Sequence, residues 1–395
     1  MEYLKANLWE IKNSSSLRFL GVILSLSHAT ILYSWFSKST LLSGEAAVCW
    51  NFLPNCNELV FANTANIKVL FFSYAIFTAI SLLCFFSFRV LALGSLTLLF
   101  SVLINILFIT YDSSLNNNLN SLVIFLNIFF LLIPQKLRIS KRIIVSSYFV
   151  WGLLKINNEW LAGYWLSKNL DFYLPPKGIE WIAAISIFAE IIAPLFLLSK
   201  HSQRFYTGIG LLLVYNIFKG YITGLETAIV HILIIFYFVV SHFEEEKEAR
   251  EAIYRSYIRP EPSKMWVVIT TIIFWMFQIL PQGHLFGISK KEWPLQYLKN
   301  PIPIECKYHT LINYKHGSTH HSSQILDTHI DKMKCNSMIY FNHAKQLCKE
   351  NNRDPEFVGV SAYFLRRVVS QKDFTRIFES ENICEQTSND FLGGL

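Results

Sequence analysis

The sequence predicts an all-α polytopic membrane protein with about nine transmembrane helices and a small extracytoplasmic C-terminal domain. Three observations predict this class. First, 52% of the residues are hydrophobic and only 16% are charged, whereas soluble domains carry about 25% charged residues. Second, apolar runs close to the length of a membrane span recur through residues 1–280. Third, the basic residues cluster after alternate runs, as they do in multi-pass proteins.

The apolar runs define the predicted spans. Several are shorter than the ~20 residues that a perpendicular helix needs, so we expect some tilted or broken helices. In chain order the runs are 19–36, 67–88, 90–111, 115–134, 143–165, 179–198, 205–221, 228–241 and 265–280. The N-terminus lacks a small-residue cleavage site, so the first run is expected to remain as a membrane anchor. The chain thus divides into a membrane domain, 1–280, and a Cys/His-rich C-terminal domain, 281–395.

The distribution of lysine and arginine predicts the orientation, because positive residues stay on the cytoplasmic side. With a cytoplasmic N-terminus, the basic clusters all fall inside: before the first span and after the second, fourth, sixth and eighth spans. The loops at 37–66, 112–120 and 220–227 are poor in basic residues. An odd number of spans leaves the C-terminal domain outside.

The cysteines predict disulfides in an oxidising compartment. Six of the seven lie in segments expected outside, and an even number suits disulfide pairing. Metal binding is the competing interpretation, because six histidines also lie between Cys306 and Cys348. The spacings match no established zinc pattern, so we predict no metal site. The candidate disulfide cysteines are Cys49, Cys56, Cys306, Cys335, Cys348 and Cys384, while Cys84 lies in a span.

Residues 148–166 form an aromatic, apolar segment that contains a single lysine, Lys155. A lysine at membrane depth is costly, which favours a functional role. Continuous helical spacing would place Trp151 and Glu159 one turn to either side of Lys155. An amine held between an aromatic ring and a carboxylate, away from water, can give up its proton and act as a base. The alternative is a snorkelling or ion-paired lysine that only fixes a helix end.

Few other polar residues lie at membrane depth. Glu190 interrupts an apolar run, and a polar cluster surrounds the seventh and eighth spans: Asn216, Lys219, Glu226 and His231. Such groups often hydrogen-bond between helices, which is the role we expect for His28 and Asn216. For Lys155, Glu159 and Glu190 we expect one shared cavity, because ionisable groups at depth are costly and usually face a cavity.

The lysine segment resembles a known family. Its residues resemble, in type and spacing, the segment of vitamin K-dependent gamma-glutamyl carboxylases that carries their base lysine. In this chain the matching residues are Tyr148-Phe149, Gly152, Lys155, Trp160, Gly163-Tyr164 and Leu166. More widely, the order of spans over most of residues 1–300 resembles the HTTM (horizontally transferred transmembrane) family, to which those enzymes belong. The resemblance implies that Lys155 deprotonates a reduced naphthoquinone. It also implies carbon dioxide and oxygen as cosubstrates and a glutamate of a secreted peptide as substrate.

These considerations predict Lys155 and Glu159 as catalytic residues within a substrate and quinone pocket. The predicted pocket residues are Trp151, Trp160, Tyr164, Glu190, Asn118, Asn216 and His231. Two positions depart from the family. The asparagines at 116–118 and 120 lie where the carboxylases carry an Asn-Asn-His element, and Asn216 replaces a second histidine. An amide can position a substrate oxygen but does not accept a proton at neutral pH.

The predicted function is carboxylation of glutamate in a secreted peptide, and two alternatives remain open. One is an HTTM-type maturation or export factor for a secreted peptide toxin, without carboxylase activity. The other is a non-catalytic lipid-binding bundle. The chain contains no basic patch with interleaved aromatic residues, so nucleic acid is not an expected partner. The expected partners are the lipid bilayer and a secreted peptide or protein substrate.

Overall fold

The computed structural model describes residues 2–38, 64–87, 90–111, 115, 118–133, 136–156, 158–163, 166, 175–199, 201–223, 225–254, 304–321, 337–368 and 372–386. The helices before the C-terminal region are α1 Glu2–Asn13, α2 Ser15–Lys38, α3 Thr64–Ser87, α4 Leu91–Tyr111, α5 Asn118–Leu132, α6 Lys136–Leu154, α7 Asn158–Leu161, α8 Pro176–Phe196, α9 Ser202–Thr223 and α10 Leu225–Tyr254. The C-terminal region contains β1 Ile304–Tyr314, β2 Gly317–His321, α11 Ser337–Asn351, β3 Phe357–Val368 and β4 Thr375–Ser380.

Five of the described helices are long and apolar enough to cross a bilayer. They are Ser15–Phe36 in α2, Ala65–Ser87 in α3, Leu91–Tyr111 in α4, Lys177–Phe196 in α8 and Ala228–Glu246 in α10. Such helices are those of an integral membrane protein, as the composition predicts. α6 and α9 are helical where spans were predicted but are not among these five. The predicted span at 265–280 lies outside the described residues, so the number nine stays a prediction.

The membrane helices pack as two connected groups. α2, α3, α4 and α5 form the first group, and α6, α8, α9 and α10 form the second. Contacts of α2 with α10 and of α5 with α6 join them. Small residues permit close approach within the second group, as is common between helices in lipid. A side chain at Gly208 would collide with Ala193 and Phe196 of α8, and one at Gly220 would collide with Ala228 of α10.

A buried polar network connects the helices of the first group. His28 of α2 hydrogen-bonds the Tyr74 hydroxyl of α3 at 2.5 Å and Asn127 of α5 at 3.1 Å. Asn105 of α4 donates to the Tyr74 hydroxyl and to Asn120 of α5, both at 2.9 Å. All five side chains are buried, so the network fixes four helices relative to one another. This is the interhelical role expected of His28.

Charged helix ends meet at one end of the bundle. The backbone N–H of Ser16, at the start of α2, donates to the Glu244 carboxylate of α10 at 2.7 Å. Lys141, in the second turn of α6, forms an ion pair with Glu245 of α10 at 2.9 Å. The charge distribution assigns these same segments to one side of the membrane, and their contacts are consistent with that assignment.

The C-terminal region folds around a core of its own. Its strands form an antiparallel sheet in the order β2-β1-β3-β4. Because side chains alternate along a strand, Tyr308 and Ile312 of β1 point into the core, where they pack with Tyr340 and Phe341 of α11. The helical prediction therefore applies to the membrane domain, and the C-terminal region is α+β.

The disulfide prediction is confirmed for the cysteines that the structure describes in the C-terminal region. Cys348 of α11 is bonded to Cys384, which follows β4, and Cys306 in β1 is also disulfide-bonded. Cys84 is free and buried in α3, where a span was predicted. The remaining candidates lie outside the described residues: Cys49, Cys56 and Cys335.

Candidate functional site

The helix that leads to the predicted base ends just before it. The backbone N–H of Lys155 donates to the Gly152 carbonyl at 3.1 Å, and that of Ile156 donates to the Leu153 carbonyl at 3.0 Å. This three-residue spacing is the tighter turn that often closes an α-helix. Asparagines follow at 157 and 158, and this residue type favours turns over helix interiors.

The segment around Lys155 is not one continuous helix. The sequence predicts Trp151, Lys155 and Glu159 on a single helical face. α6 ends before Lys155 and α7 begins at 158, so the four-residue spacing does not continue through this segment. That prediction is wrong. The side chain of Glu159 is outside the described part of the chain.

The carboxylate that contacts Lys155 comes from another helix. Nζ of Lys155 lies 2.6 Å from Oε2 of Glu190 on α8, with the Lys155 side chain 13% exposed and that of Glu190 fully buried. The hydroxyl of Tyr215 on α9 completes a cycle: it accepts from Lys155 Nζ at 3.0 Å and donates to Oε1 of Glu190. These contacts connect the residue that follows the C-terminal end of α6 to α8 and α9.

Aromatic rings and a second amine surround this ion pair. The ammonium of Lys155 lies over the Trp160 ring, 4.6 Å from its centre. Lys219 of α9 lies 5.5 Å from the centre of the Trp151 ring and 3.9 Å from Oε1 of Glu190. Cation–π contacts of this kind stabilise a cation where water is scarce.

A tyrosine–histidine pair lies next to the ion pair. The Tyr148 hydroxyl of α6 is 2.7 Å from Nδ1 of His231 on α10. The Trp151 ring packs edge-on against both, with centroid distances of 5.6 and 5.9 Å. Asn216 of α9 also hydrogen-bonds Tyr148. All four residues are buried, so the second group of helices encloses a continuous polar site.

Two glycines of the lysine segment make the site's packing possible. A Cβ at Gly152 would lie 2.5 Å from Ile191 Cγ1 and 3.1 Å from Glu190 Cβ, so only glycine lets α6 approach α8 at Glu190. Gly163 has φ +72°, in the left-handed region that favours glycine, and a Cβ there would lie 2.2 Å from Ile179.

The site lies away from the charged end of the bundle. Phe205, in the first turn of α9, stacks on His242 of α10 at 4.2 Å, so α9 starts near that charged end. Tyr215 follows the first residue of α9 by 13 positions, or about 20 Å at the helical rise of ~1.5 Å per residue. The hydrocarbon core is ~30 Å thick. Glu190 lies within the candidate span Lys177–Phe196 of α8, and the ion pair is about 20 Å along α9 from the charged end of the bundle.

Three buried polar atoms of the site have no hydrogen bond among the described residues. They are the indole Nε1 of Trp151, the amide Oδ1 of Asn216 and Oε2 of Glu190, which has the Lys155 amine as its ion-pair partner. Buried donors and acceptors are nearly always satisfied in folded proteins. Unsatisfied buried groups also occur elsewhere in the described chain, for example at Asn7 and Ser95.

The structure brings together most of the residues predicted for the site. Around Lys155 it gathers Trp151, Trp160, Glu190, Asn216 and His231. Tyr164 and the side chain of Asn118 are outside the described residues. Tyr215 was not predicted as a site residue, and Lys219 was not assigned to the site. A signal for Tyr215 existed, because it adjoins Asn216 and precedes Lys219 by one helical turn.

Two routes of contact connect the Lys155 amine with the Glu190 carboxylate. One is the direct ion pair at 2.6 Å, and the other passes through the Tyr215 hydroxyl. Either route provides the short donor–acceptor contacts that a proton transfer requires.

Comparisons of this chain with protein-family models, with curated proteins and with solved structures found no match.

Proposed function

We propose that this protein is a membrane-embedded enzyme of the gamma-glutamyl carboxylase type, with Lys155 as its base. The observation that carries the proposal is the contact of Lys155 with Tyr215 and with Glu190, which lies inside the candidate span of α8. The Tyr215 hydroxyl would stabilise a purely structural buried ion pair as well. For a base it does more, because it offers a path by which the proton can be passed on after each cycle.

Glu190 replaces Glu159 as the partner of the base in this proposal. It holds the proton that Lys155 must lose before it can accept another from a bound molecule. The Tyr215 hydroxyl is bonded to both the amine and the carboxylate and holds them in place. A site that excludes water favours the step, since bulk water would stabilise the charged forms.

The aromatic surroundings fit a reduced naphthoquinone. Trp151, Trp160 and Tyr215 present flat rings around the two amines, and Asn216 Oδ1 is an acceptor that a hydroquinone hydroxyl can satisfy. When bound, this cofactor would supply the redox chemistry with oxygen that makes the glutamate γ proton removable. The residues of this chain would orient it and take its hydroxyl proton.

The proposed orientation places the N-terminus in the cytoplasm and the C-terminal domain outside the cytoplasm. The disulfide between Cys348 and Cys384 supports it, because such bonds persist in oxidising compartments. The site then lies nearer the outer surface, where a secreted peptide would reach it.

The test compares secreted peptides from cells that make the parent protein, the Lys155→Arg variant or neither. Arginine keeps the positive charge and pairs with carboxylates, but it does not release its proton. We expect glutamates that have gained carbon dioxide, detected by mass spectrometry, only with the parent protein. Membrane abundance of the variant must equal that of the parent.

The matched control is Lys141→Arg, because Lys141 is a buried lysine that is paired with a glutamate at the charged end of the bundle. It should leave the modification intact. Full carboxylation of the peptide in cells that make the Lys155→Arg variant would contradict the assignment of Lys155 as the base. A different result would favour a maturation or export factor. In that case the peptide appears in the medium only when the protein is present, but it is never carboxylated.

A further inference from the structure

Two exposed arginines lie near the start of α6, far from the candidate site. The first two turns of this helix contain four basic residues: Lys136, Arg138, Lys141 and Arg142. The lysines are buried and bond to neighbouring segments. The backbone N–H of Lys136 donates to Glu10 of α1 at 2.8 Å, and Lys141 pairs with Glu245 of α10 at 2.9 Å. The side chains of both arginines, by contrast, are exposed.

The two arginines are neighbours that the described chain does not neutralise. Arg138 and Arg142 are four positions apart, so their Cβ atoms lie about 5–6 Å apart on one side of α6. Within the part of the chain that the structure describes, neither guanidinium forms an ion pair or a hydrogen bond. The glutamate that reaches this turn of α6, Glu245, pairs with Lys141 instead. Two positive charges held this close repel each other, so an anion that contacts both is stabilised.

The arginines lie at the level of a membrane surface. The candidate spans in α2 and α10 begin and end near this charged end of the bundle. Large apolar side chains nevertheless remain exposed there. Trp9, next to the Glu10 that contacts the start of α6, is 63% exposed, and Leu132 in the last turn of α5 is 49% exposed. Charged and apolar side chains at one level suit the boundary between lipid headgroups and acyl chains, where tryptophan is enriched.

We propose that Arg138 and Arg142 together bind the phosphate of an anionic phospholipid in the leaflet at this end of the bundle. A guanidinium donates two parallel N–H bonds to phosphate oxygens, and two guanidiniums can contact one phosphate from both sides. A headgroup that also carries an amine would bring a third positive charge, so an anionic lipid is favoured over a zwitterionic one. The proposal does not depend on the carboxylase assignment.

The test measures thermal unfolding of the purified full-length protein in detergent micelles at constant ionic strength. The added probes are phosphatidylglycerol, phosphatidylcholine, inorganic phosphate and a polyglutamate peptide. A ligand that binds only the folded protein raises its Tm, so phosphatidylglycerol should raise the Tm and the other three should not. An equal rise with phosphatidylcholine overturns the selection of an anionic lipid. An equal rise with inorganic phosphate or with polyglutamate assigns the arginines to a soluble anion or to an acidic protein and overturns the lipid assignment.

Variants locate the binding. Replacing Arg138 and Arg142 together with glutamine should weaken phosphatidylglycerol binding about fivefold for each arginine, or about 25-fold in all. The matched control replaces Lys12 and Arg204 with glutamine. These are two other exposed basic residues near the charged end, so the change in net charge is the same. The control should bind within about twofold of the parent, because it keeps both guanidiniums of the pair.

The results separate a paired site from a general attraction of the positive surface. Equal weakening in the two double variants, or parent-like binding without Arg138 and Arg142, overturns the proposal. Lysine at both positions keeps the charges but not the planar fork of donors. That variant should bind more weakly than the parent and more tightly than the glutamine variant, and binding equal to that of the parent overturns the guanidinium contact. The Tm of each variant without lipid should equal that of the parent, since all the replaced side chains are exposed.

Discussion

Replacing Glu190 with glutamine removes the negative charge from the centre of the site. Glu190 is fully buried and lies 2.6 Å from the Lys155 amine. Glutamine keeps an oxygen that can accept from Tyr215, so the change acts mainly through the charge. Breaking a buried ion pair from one side costs about 3–5 kcal/mol, because the other charge stays buried without compensation. Since Lys155 is slightly exposed, we expect a loss near ~3 kcal/mol in the free energy of unfolding.

A double-mutant cycle isolates the pair. Lys155→Met should also cost about 3 kcal/mol, because it leaves Glu190 as the group without its closest counter-charge. The double variant removes both charges, so it should be more stable than the sum of the two losses predicts, by about 2 kcal/mol or more. The assay is denaturant unfolding in mixed micelles, followed by tryptophan fluorescence.

Lys141→Met provides the reference. Its partner Glu245 is 46% exposed, so water screens the contact and the loss should be within about 1 kcal/mol. Additive losses from Glu190→Gln and Lys155→Met would refute a direct coupling between the two side chains. A Glu190→Gln loss no larger than the Lys141→Met loss would refute the buried ion pair itself.

Three further predictions test the packing and the topology. Gly152→Ala should destabilise the protein by about 1–3 kcal/mol, because the added Cβ would lie 2.5 Å from Ile191. Gly210→Ala is the control and should not destabilise it, because no atom lies within 4 Å of its added Cβ. Equal effects of the two variants on thermal stability would contradict the close packing of α6 on α8. His28→Leu should cost about 1–3 kcal/mol of unfolding free energy by removing two interhelical hydrogen bonds, and an unchanged thermal stability would contradict this structural role. A membrane-impermeant thiol reagent should label the Cys348–Cys384 pair in intact cells only after reduction, and labelling that requires opened cells would reverse the proposed topology.

Helix positions in the membrane domain were largely predictable from the sequence. The run at 90–111 corresponds to α4, Leu91–Tyr111, and the run at 179–198 corresponds to α8, Pro176–Phe196. The reason is physical. In lipid the backbone must satisfy its own hydrogen bonds, so an apolar run of spanning length becomes a helix whatever its neighbours are.

The C-terminal sheet could have been predicted in part. Along β1 the buried residues Tyr308, Thr310 and Ile312 alternate with the more exposed Lys307 and His309, which is the two-residue period of a strand with one covered face. The strand order could not be predicted from the sequence, because β1 pairs with β3, which is about 50 residues away and follows α11. Pairing over such distances depends on which surfaces α11 covers.

The sequence by itself determined that Lys155 lies in an apolar segment and must be compensated there. Only the tertiary structure decided which residues compensate its charge. Periodicity along one segment favoured Glu159, but α6 ends at Leu154, and the turn that follows directs Lys155 to Glu190 and Tyr215. Those residues lie 35 and 60 positions further along the chain. A contact between helices depends on how closely they approach, which Gly152 sets at this site, and no spacing within a single helix records that distance.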